Sequence, residues 1–386
     1  MEKYIVLRDV TPVPRQLKRG IPAGSSVRPQ LKIEIENIPT HSVVDLRNDP
    51  QVKSAEPVMS TRLIKPLSIK PAGDGDAWGI AAIGADLSPY TGDGVTVAVL
   101  DTGIDTAHPA FDGMVLDFED FTGSGKHDGN GHGTHCAGTI FGRDVSGRRI
   151  GIARGVKKAL IGKVLGDDGG GSSEMIFEAL QWAQRERANV ISMSLGFDFP
   201  GTVQRKVDAG WPIDLATSQA LEAYRGNLRM FDALMMMFKA QSAFNSSPIV
   251  IAAAGNESRR NVNAEYKIAA SVPAAADGVI SVAAACQLDT KYGIADFSNS
   301  FAHLAAPGVD ILSAWPGGTL QLLDGTSMAC PHVAGVAALW WERAVKEGAP
   351  TVSAAVSAQL TSTARKLFAS QFNSSDFGFG FITAPT

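Results

Sequence analysis

Apolar positions along the chain change their spacing at about Val95. Beyond it, short runs that are apolar at nearly every position alternate with longer stretches whose apolar residues recur at helical spacing. The runs are Val95–Leu100, Ala159–Val164, Asn189–Met193, Ile249–Ala254 and Val279–Ala283. Strands without a polar face are covered on both sides. They predict an α/β fold, a mostly parallel sheet clothed by helices over 132–141, 173–187, 214–244 and 332–346. In such a sheet ligands sit beyond the carboxyl ends of the strands.

Before Val95 the spacing is different. Tyr4–Leu7 and Leu31–Ile35 alternate as half-buried strands, Val43–Asn48 suits a short helix, and Lys53–Arg62 reads as a returning strand. A stretch rich in Pro, Gly and Lys, Pro66–Gly75, follows as a linker. The pattern predicts a small α+β unit with its linker over 1–73 and a larger domain over 74–386.

Composition narrows the function. With 45% hydrophobic and 19% charged residues and a net charge of -4, the chain can bury a large core but presents no basic face, so nucleic acid is not an expected partner. No apolar stretch is long enough to span a membrane, and none is expected as a partner. Charges recur too closely in Met1–Asp9 for a signal peptide. Three cysteines, Cys136, Cys286 and Cys330, are an odd number without metal spacing. Together these predict free thiols and a cytoplasmic location, with release by a non-classical route left open.

Polar residues gather where the strands end. Asp101 closes the first run, in Asp101-Thr102-Gly103-Ile104-Asp105; alone it reads as an Asx turn. His132 enters a helix between two glycines, in Gly131-His132-Gly133-Thr134-His135, without the spacing or the glutamate of a zinc helix. Asn256 ends a strand, in Ala254-Gly255-Asn256, as a neutral donor suited to an oxyanion. Ser327 lies in Gly325-Thr326-Ser327-Met328-Ala329-Cys330-Pro331-His332, at the start of an apolar helix with Pro331 expected in its first turn. Alone it reads as an N-cap.

Taken together these segments resemble the subtilisin-like serine proteases. The order Asp, His, Ser is that of subtilisin. Between the three signatures, Val164-Leu165-Gly166-Asp167-Asp168-Gly169, Ser192-Met193-Ser194-Leu195-Gly196 and Ala306-Pro307-Gly308 also resemble family segments, and the resemblance runs from about Trp78 to the C-terminus. It implies the family's three-layer fold and an endopeptidase in which Ser327 attacks, His132 moves the proton, Asp101 orients the imidazole, and Asn256 with the Ser327 N–H holds the oxyanion. A polypeptide substrate would pair with Gly169-Gly170-Gly171 and with Ser194-Leu195-Gly196, and Ser271 would lie near the floor of the primary pocket. Residues 1–73 resemble the family's propeptide, implying a partner carried in the same chain and self-maturation, or a permanently attached regulatory unit.

The sequence departs from the family in two further places. Residues 197–246 are longer than the usual link; they read mainly as one helix, Thr217–Phe244, and contain Met235-Met236-Met237. The methionines are expected in the core, with an adaptable groove as the alternative. If the insertion shielded the site from water, the acyl-enzyme could pass to an amine instead, as in transamidating relatives; an inert peptide binder is the third reading. No cofactor is expected for the chemistry. A structural Ca2+ is possible for the family, but Ala110 stands where an aspartate ligand is expected and Arg143–Ile150 holds three arginines and one acid, Asp144. Cys136 and Cys330, neighbours of the catalytic candidates, are expected as buried small hydrophobes, with a redox role as the alternative.

Overall fold

The computed structural model describes residues 1–12, 30–39, 42–72, 75–242 and 247–386. The boundary drawn at residue 73 and the last residues of the insertion, 243–246, therefore lie outside the described residues, as does the end of the helix expected at 244. Each of the five apolar runs is a strand of one eight-stranded sheet. Across it the order is Lys291–Ile294, Val279–Leu288, Ile249–Ala253, Val190–Met193, Thr96–Asp101, Lys158–Lys163 and Val115–Asp120, and Leu304–Pro307 also pairs with Val279–Leu288. All pairings are parallel except that of Lys291–Ile294. The strands Val115–Asp120 and Leu304–Pro307 were not legible as apolar runs: the first carries three acids at a sheet edge, and the second ends in proline.

Two helices come from one side of this sheet to the site. His132–Phe141 is buried along its whole length. Thr326–Lys346 is buried from Thr326 through Glu342, as its nearly continuous apolar sequence requires. It begins six residues before the expected 332, which moves Pro331 out of the first turn and into the body of the helix. No helix among the described residues is long and apolar enough to cross a membrane.

Glu2–Asp9, Leu31–Ile38 and Val52–Pro57 form a three-stranded antiparallel sheet, accompanied by the short helix Val43–Arg47. Strand alternation divides its apolar residues between two cores. Tyr4 and Val6 face Val43 and Ala55, whereas Ile5 and Leu7 join Phe177, Phe231 and Leu234 of the larger domain. The contact helices are Ser173–Arg185 and Ile213–Gln241. Asn227 donates from Nδ2 to the Pro57 carbonyl at 2.9 Å, and Gly226 leaves the room that the Glu56 carboxylate fills.

Three local expectations need correction. Lys53–Arg62 is not one strand: it breaks after Pro57, and Ser60–Leu63 leaves the N-terminal sheet for another. The Pro66–Gly75 linker contains a strand, Ile69–Pro71, paired with Thr319–Leu323. The three methionines do not share one environment: Met235 is buried, Met236 is 70% exposed and Met237 is half-buried, because successive helical residues point about 100° apart. The insertion also holds a separate helix, Phe199–Asp208, before Ile213–Gln241.

Candidate active site

The four strand-end and helix-start residues converge at the carboxyl edge of the sheet. Asp101 is the last residue of its strand, and its Oδ1 accepts from the Thr102 N–H at 2.7 Å and lies 2.8 Å from His132 Nδ1. Both side chains are almost wholly buried. A carboxylate on Nδ1 makes that nitrogen the protonated one and leaves Nε2 as the basic lone pair. His132 Nε2 is buried and has no hydrogen-bond partner.

Residues beyond the four candidates hold this pair in place. Asp128 is buried and accepts from Thr102 Oγ1, Asn130 N and Gly131 N on one oxygen and from Thr134 N and Thr134 Oγ1 on the other. Thr102 in turn accepts from the Gly133 N–H at 2.9 Å. The carboxylate thus fastens the turn after Asp101 to the start of the His132 helix. Gly131, at φ +96°, allows the turn, and a Cβ there would lie 2.7 Å from the Trp315 ring. Lys163 pairs with Asp101 in the sheet register and is fully buried, its ammonium donating to Thr102 O, His127 O and Asp167 Oδ1. That contact holds the Asp167 carboxyl below the usual carboxylate range. A lone lysine ending an apolar strand and an aspartate four residues before His132 are the signals that could have found them.

Ser327 occupies the first turn of its helix. Pro331, four residues on, has no N–H to bond the Ser327 carbonyl. The carbonyl instead accepts from Ser194 Oγ at 3.2 Å and from the Cys136 thiol at 3.4 Å. The two off-helix donors anchor the serine backbone, and Pro331 frees the acceptor for them. Asn256 is set by Thr326: its Oδ1 accepts both Thr326 N and Thr326 Oγ1 at 2.9 Å, which turns its amide N–H groups outward.

The groove before Ser327 is filled by the chain itself. Ser60–Leu63 runs antiparallel between Gly170–Ser172 and Leu195–Phe197 as the middle strand of three. Arg62 is paired with Gly196 and Gly170, and the Leu63 N–H donates to Gly169 O at 2.8 Å. Both segments expected to hold an extended peptide therefore hold residues 60–63. The Ile64 side chain lies beside Gly196, where a Cβ would be 3.6 Å from Ile64 Cγ1 and 3.3 Å from Ser271 Oγ; Ser271 is thus in the same recess. The Ser327 hydroxyl donates to the Ile64 carbonyl at 3.1 Å, and Asn256 Nδ2 donates to the next carbonyl, that of Lys65, at 3.1 Å. Beyond Pro66, the Leu67 N–H donates to Asp324 O at 3.0 Å and Ile69–Pro71 pairs with Thr319–Leu323.

The neighbouring cysteines and histidines have quieter environments. Burial raises the Cys136 thiol well above its ordinary range and the Cys330 thiol to about 11, so both stay protonated at neutral pH. Asp101, His132 and Cys136 are the single His, Cys and acid cluster of metal-binding proximity among the described residues, and within it Asp101 Oδ1 and His132 Nδ1 bond each other. His135 is driven down to about 3 and His332 to about 4, in both cases chiefly by burial. They serve as neutral donors to backbone carbonyls, His135 from Nε2 to Ile311 and Gln321 and His332 from Nδ1 to Met328.

A model of the Subtilase family matches residues 92–381. The chain belongs to the subtilase family. Among its relatives, it is 35% identical over 272 residues to subtilisin-like protease 6 of Trichophyton rubrum, which covers 68% of this chain and 57% of the relative. It is 33% identical over 312 residues to the subtilisin-like serine protease Pen c 1 of Penicillium citrinum, covering 76% of this chain and 65% of the relative. The chain thus spans under two thirds of the length of these relatives.

Proposed function

We propose that this subtilase is a serine endopeptidase that cuts extended polypeptide through an acyl-enzyme, and that its first substrate is its own chain at the Ile64–Lys65 bond. The observation that carries this reading is the Ser327 hydroxyl resting on the carbonyl of an extended strand, beside the buried Asp101–His132 pair. His132 Nε2 takes the Ser327 proton as Oγ bonds to the Ile64 carbonyl carbon, and Asp101 stabilises the imidazolium. The oxyanion is held by Asn256 and the Ser327 N–H, once the Asn256 amide has passed from the Lys65 carbonyl to that of Ile64. Collapse breaks the C–N bond, and the imidazolium protonates the departing Lys65 amine. Water, deprotonated by His132, then cleaves the ester and frees the Ile64 carboxylate.

The alternative bond, Lys65–Pro66, is a tertiary amide whose ring crowds the leaving nitrogen, which favours cleavage one residue earlier. The same offset of Asn256 by one carbonyl supports a second role for residues 1–64, as an inhibitor that stays in the groove until the strand shifts. Transfer to an amine has no comparable support: the insertion helix Ile213–Gln241 packs on the strand Val52–Pro57 and on Phe199–Asp208. No calcium is proposed at the Ala110 loop. Ala110 is fully buried, Arg143 donates to Phe141 O and Val156 O, Arg149 to Gly151 O, Ala85 O and Ile152 O, and Asp144 is paired with Arg154. Arginines bonded to the carbonyls of this loop support the reading that the family's calcium site is absent here. Free, protonated thiols suit the cytoplasm.

Intact mass of the purified chain over time, beside Ser327→Ala, tests the reading. Wild type is expected to split into 1–64 and a fragment beginning at Lys65, while Ser327→Ala stays whole. A wild type that stays whole, cleaves no added peptide and takes up no serine-directed fluorophosphonate at Ser327 would make the protein an inert binder.

A further inference from the structure

The strand in the groove brings a cation to a fixed place. Arg62 is paired by its backbone on both edges, two residues before Ile64, so its side chain enters at a defined point. There its Nη1 lies 3.0 Å from Asp198 Oδ1 and its Nη2 3.9 Å from Glu257 Oε1. Neither acid is loose. Asp198 caps the helix Phe199–Asp208 through Gly201 N and is 16% exposed, and Glu257 Oε2 accepts from Asn299 Nδ2 at 2.8 Å. Asp198 opens the extra helix of the insertion, whereas Glu257 follows Asn256. Arg205 also reaches Asp198, on Oδ2 at 3.3 Å, so Arg62 shares Oδ1 with the capping Gly201 N–H.

We propose that Asp198 and Glu257 form a substrate subsite for a basic side chain, two residues before the residue whose carbonyl is attacked. It rests on the endopeptidase reading above. Backbone pairing on both sides is indifferent to sequence; the two carboxylates add a preference by charge. Arg62 is the subsite's occupant in the intact chain, and other polypeptides cut by the enzyme carry Arg or Lys at this position.

The test is a set of peptides Xaa-Leu-Ile-Lys-Pro-Leu with Xaa Arg, Ala or Glu, cleaved by the full-length protein and by Asp198→Asn/Glu257→Gln, which keeps the helix cap and the acceptor for Asn299. Part-exposed ion pairs are modest, so kcat/KM for the Arg peptide is expected to exceed that for Ala by about fivefold and that for Glu by roughly tenfold or more. Both ratios should fall toward one in the double variant. Equal rates for the three peptides, or ratios that survive the double substitution, overturn the subsite while leaving the peptidase intact. If the chain's own strand blocks every peptide, the same pairing is read in cis from fluorophosphonate uptake at Ser327. Uptake should quicken several-fold in Arg62→Glu and fall back in Arg62→Glu/Glu257→Lys; unchanged uptake overturns the proposal. Neither cleavage nor uptake overturns the peptidase reading itself.

Discussion

The chain that crosses Ser327 is held in two different ways on its two sides. Residues 60–63, before the Ile64 carbonyl, are bonded along both edges, and the strand that leads to them belongs to a sheet packed on two helices. Residues 69–71, after it, are bonded along one edge and all three are exposed. The side that would become the acyl group is anchored over many contacts, while the leaving side is held by Asn256 on Lys65, by Leu67 and Ser68 on Asp324, by pairing with Thr319–Leu323 and by the ion pairs of Lys70 with Asp310 and Asp324. The lesson is kinetic: a cut between the two should release the leaving side first and keep residues 1–64 as a tightly held product.

The comparison breaks most completely at the junction. Asp101→Asn should preserve the fold yet slow the Ile64–Lys65 cut by about 10⁴-fold, since the imidazole would settle in the wrong tautomer; intact-mass time courses read this directly, and a loss below tenfold would deny Asp101 its role. Asn256→Ala should slow the same cut by about 10²- to 10³-fold, the cost measured for the corresponding donor of subtilisin. An unchanged rate would mean that the amide never leaves the Lys65 carbonyl.

The next tests address the anchored side. Gly226→Leu drives a side chain into the space of the Glu56 carboxylate, and overpacking of this kind costs about 1–3 kcal/mol. Cut fragment 1–64 should then elute from the larger fragment in size-exclusion chromatography, where wild type keeps the two together. Co-elution in the variant would place the anchor elsewhere. The docked interface should also respond to pH. Burial raises the Glu56 carboxyl above its ordinary range, with Ser54, Arg47 and Arg229 opposing and Glu222 adding to the rise. A carboxyl whose docked pKa lies above its free one binds more protons when docked, so docking is strongest at acid pH and weakens as pH rises through the raised pKa. Dissociation rates of the fragments between pH 4 and 8 should show this slope, roughly, and Glu56→Gln should flatten it. A slope of the opposite sign would contradict the assignment.

The smallest effect belongs to the leaving side. Lys70→Ala removes two ion pairs whose lysine side chain is 48% exposed, and the cut should change by no more than about threefold. A larger change would show that the two sides are held alike after all.

Much of the candidate site was legible because its residues are local punctuation. Asp101 and Asn256 follow apolar runs, His132 and Ser327 open helices, and each carries its signal within a few neighbours. The helix ends were less legible: Thr326–Lys346 starts earlier than Pro331 suggests, since a proline in a helix body is tolerated where the freed carbonyl finds Ser194 and Cys136. Asp128, Lys163 and Thr326 were missed because the partners that give them their place lie in other segments: the Thr102 hydroxyl for Asp128, the Thr102 and His127 carbonyls for Lys163, and the Asn256 side chain for Thr326.

By itself the sequence determined five of the eight strands of the sheet, four of the helices that cover it, and the order of the candidate residues Asp101, His132, Asn256 and Ser327. Only the tertiary structure decided what lies in the groove. Ile64 and Ser327 stand 263 residues apart, and the bonds that bring Ser60–Leu63 between Gly170–Ser172 and Leu195–Phe197 are made by backbone amides, which every residue but proline possesses. Pairing of that kind leaves almost no mark in the side chains. Its register, and with it the meeting of Arg62 with Asp198 and Glu257, follows from where the N-terminal sheet docks and where the chain is released from it after Pro57.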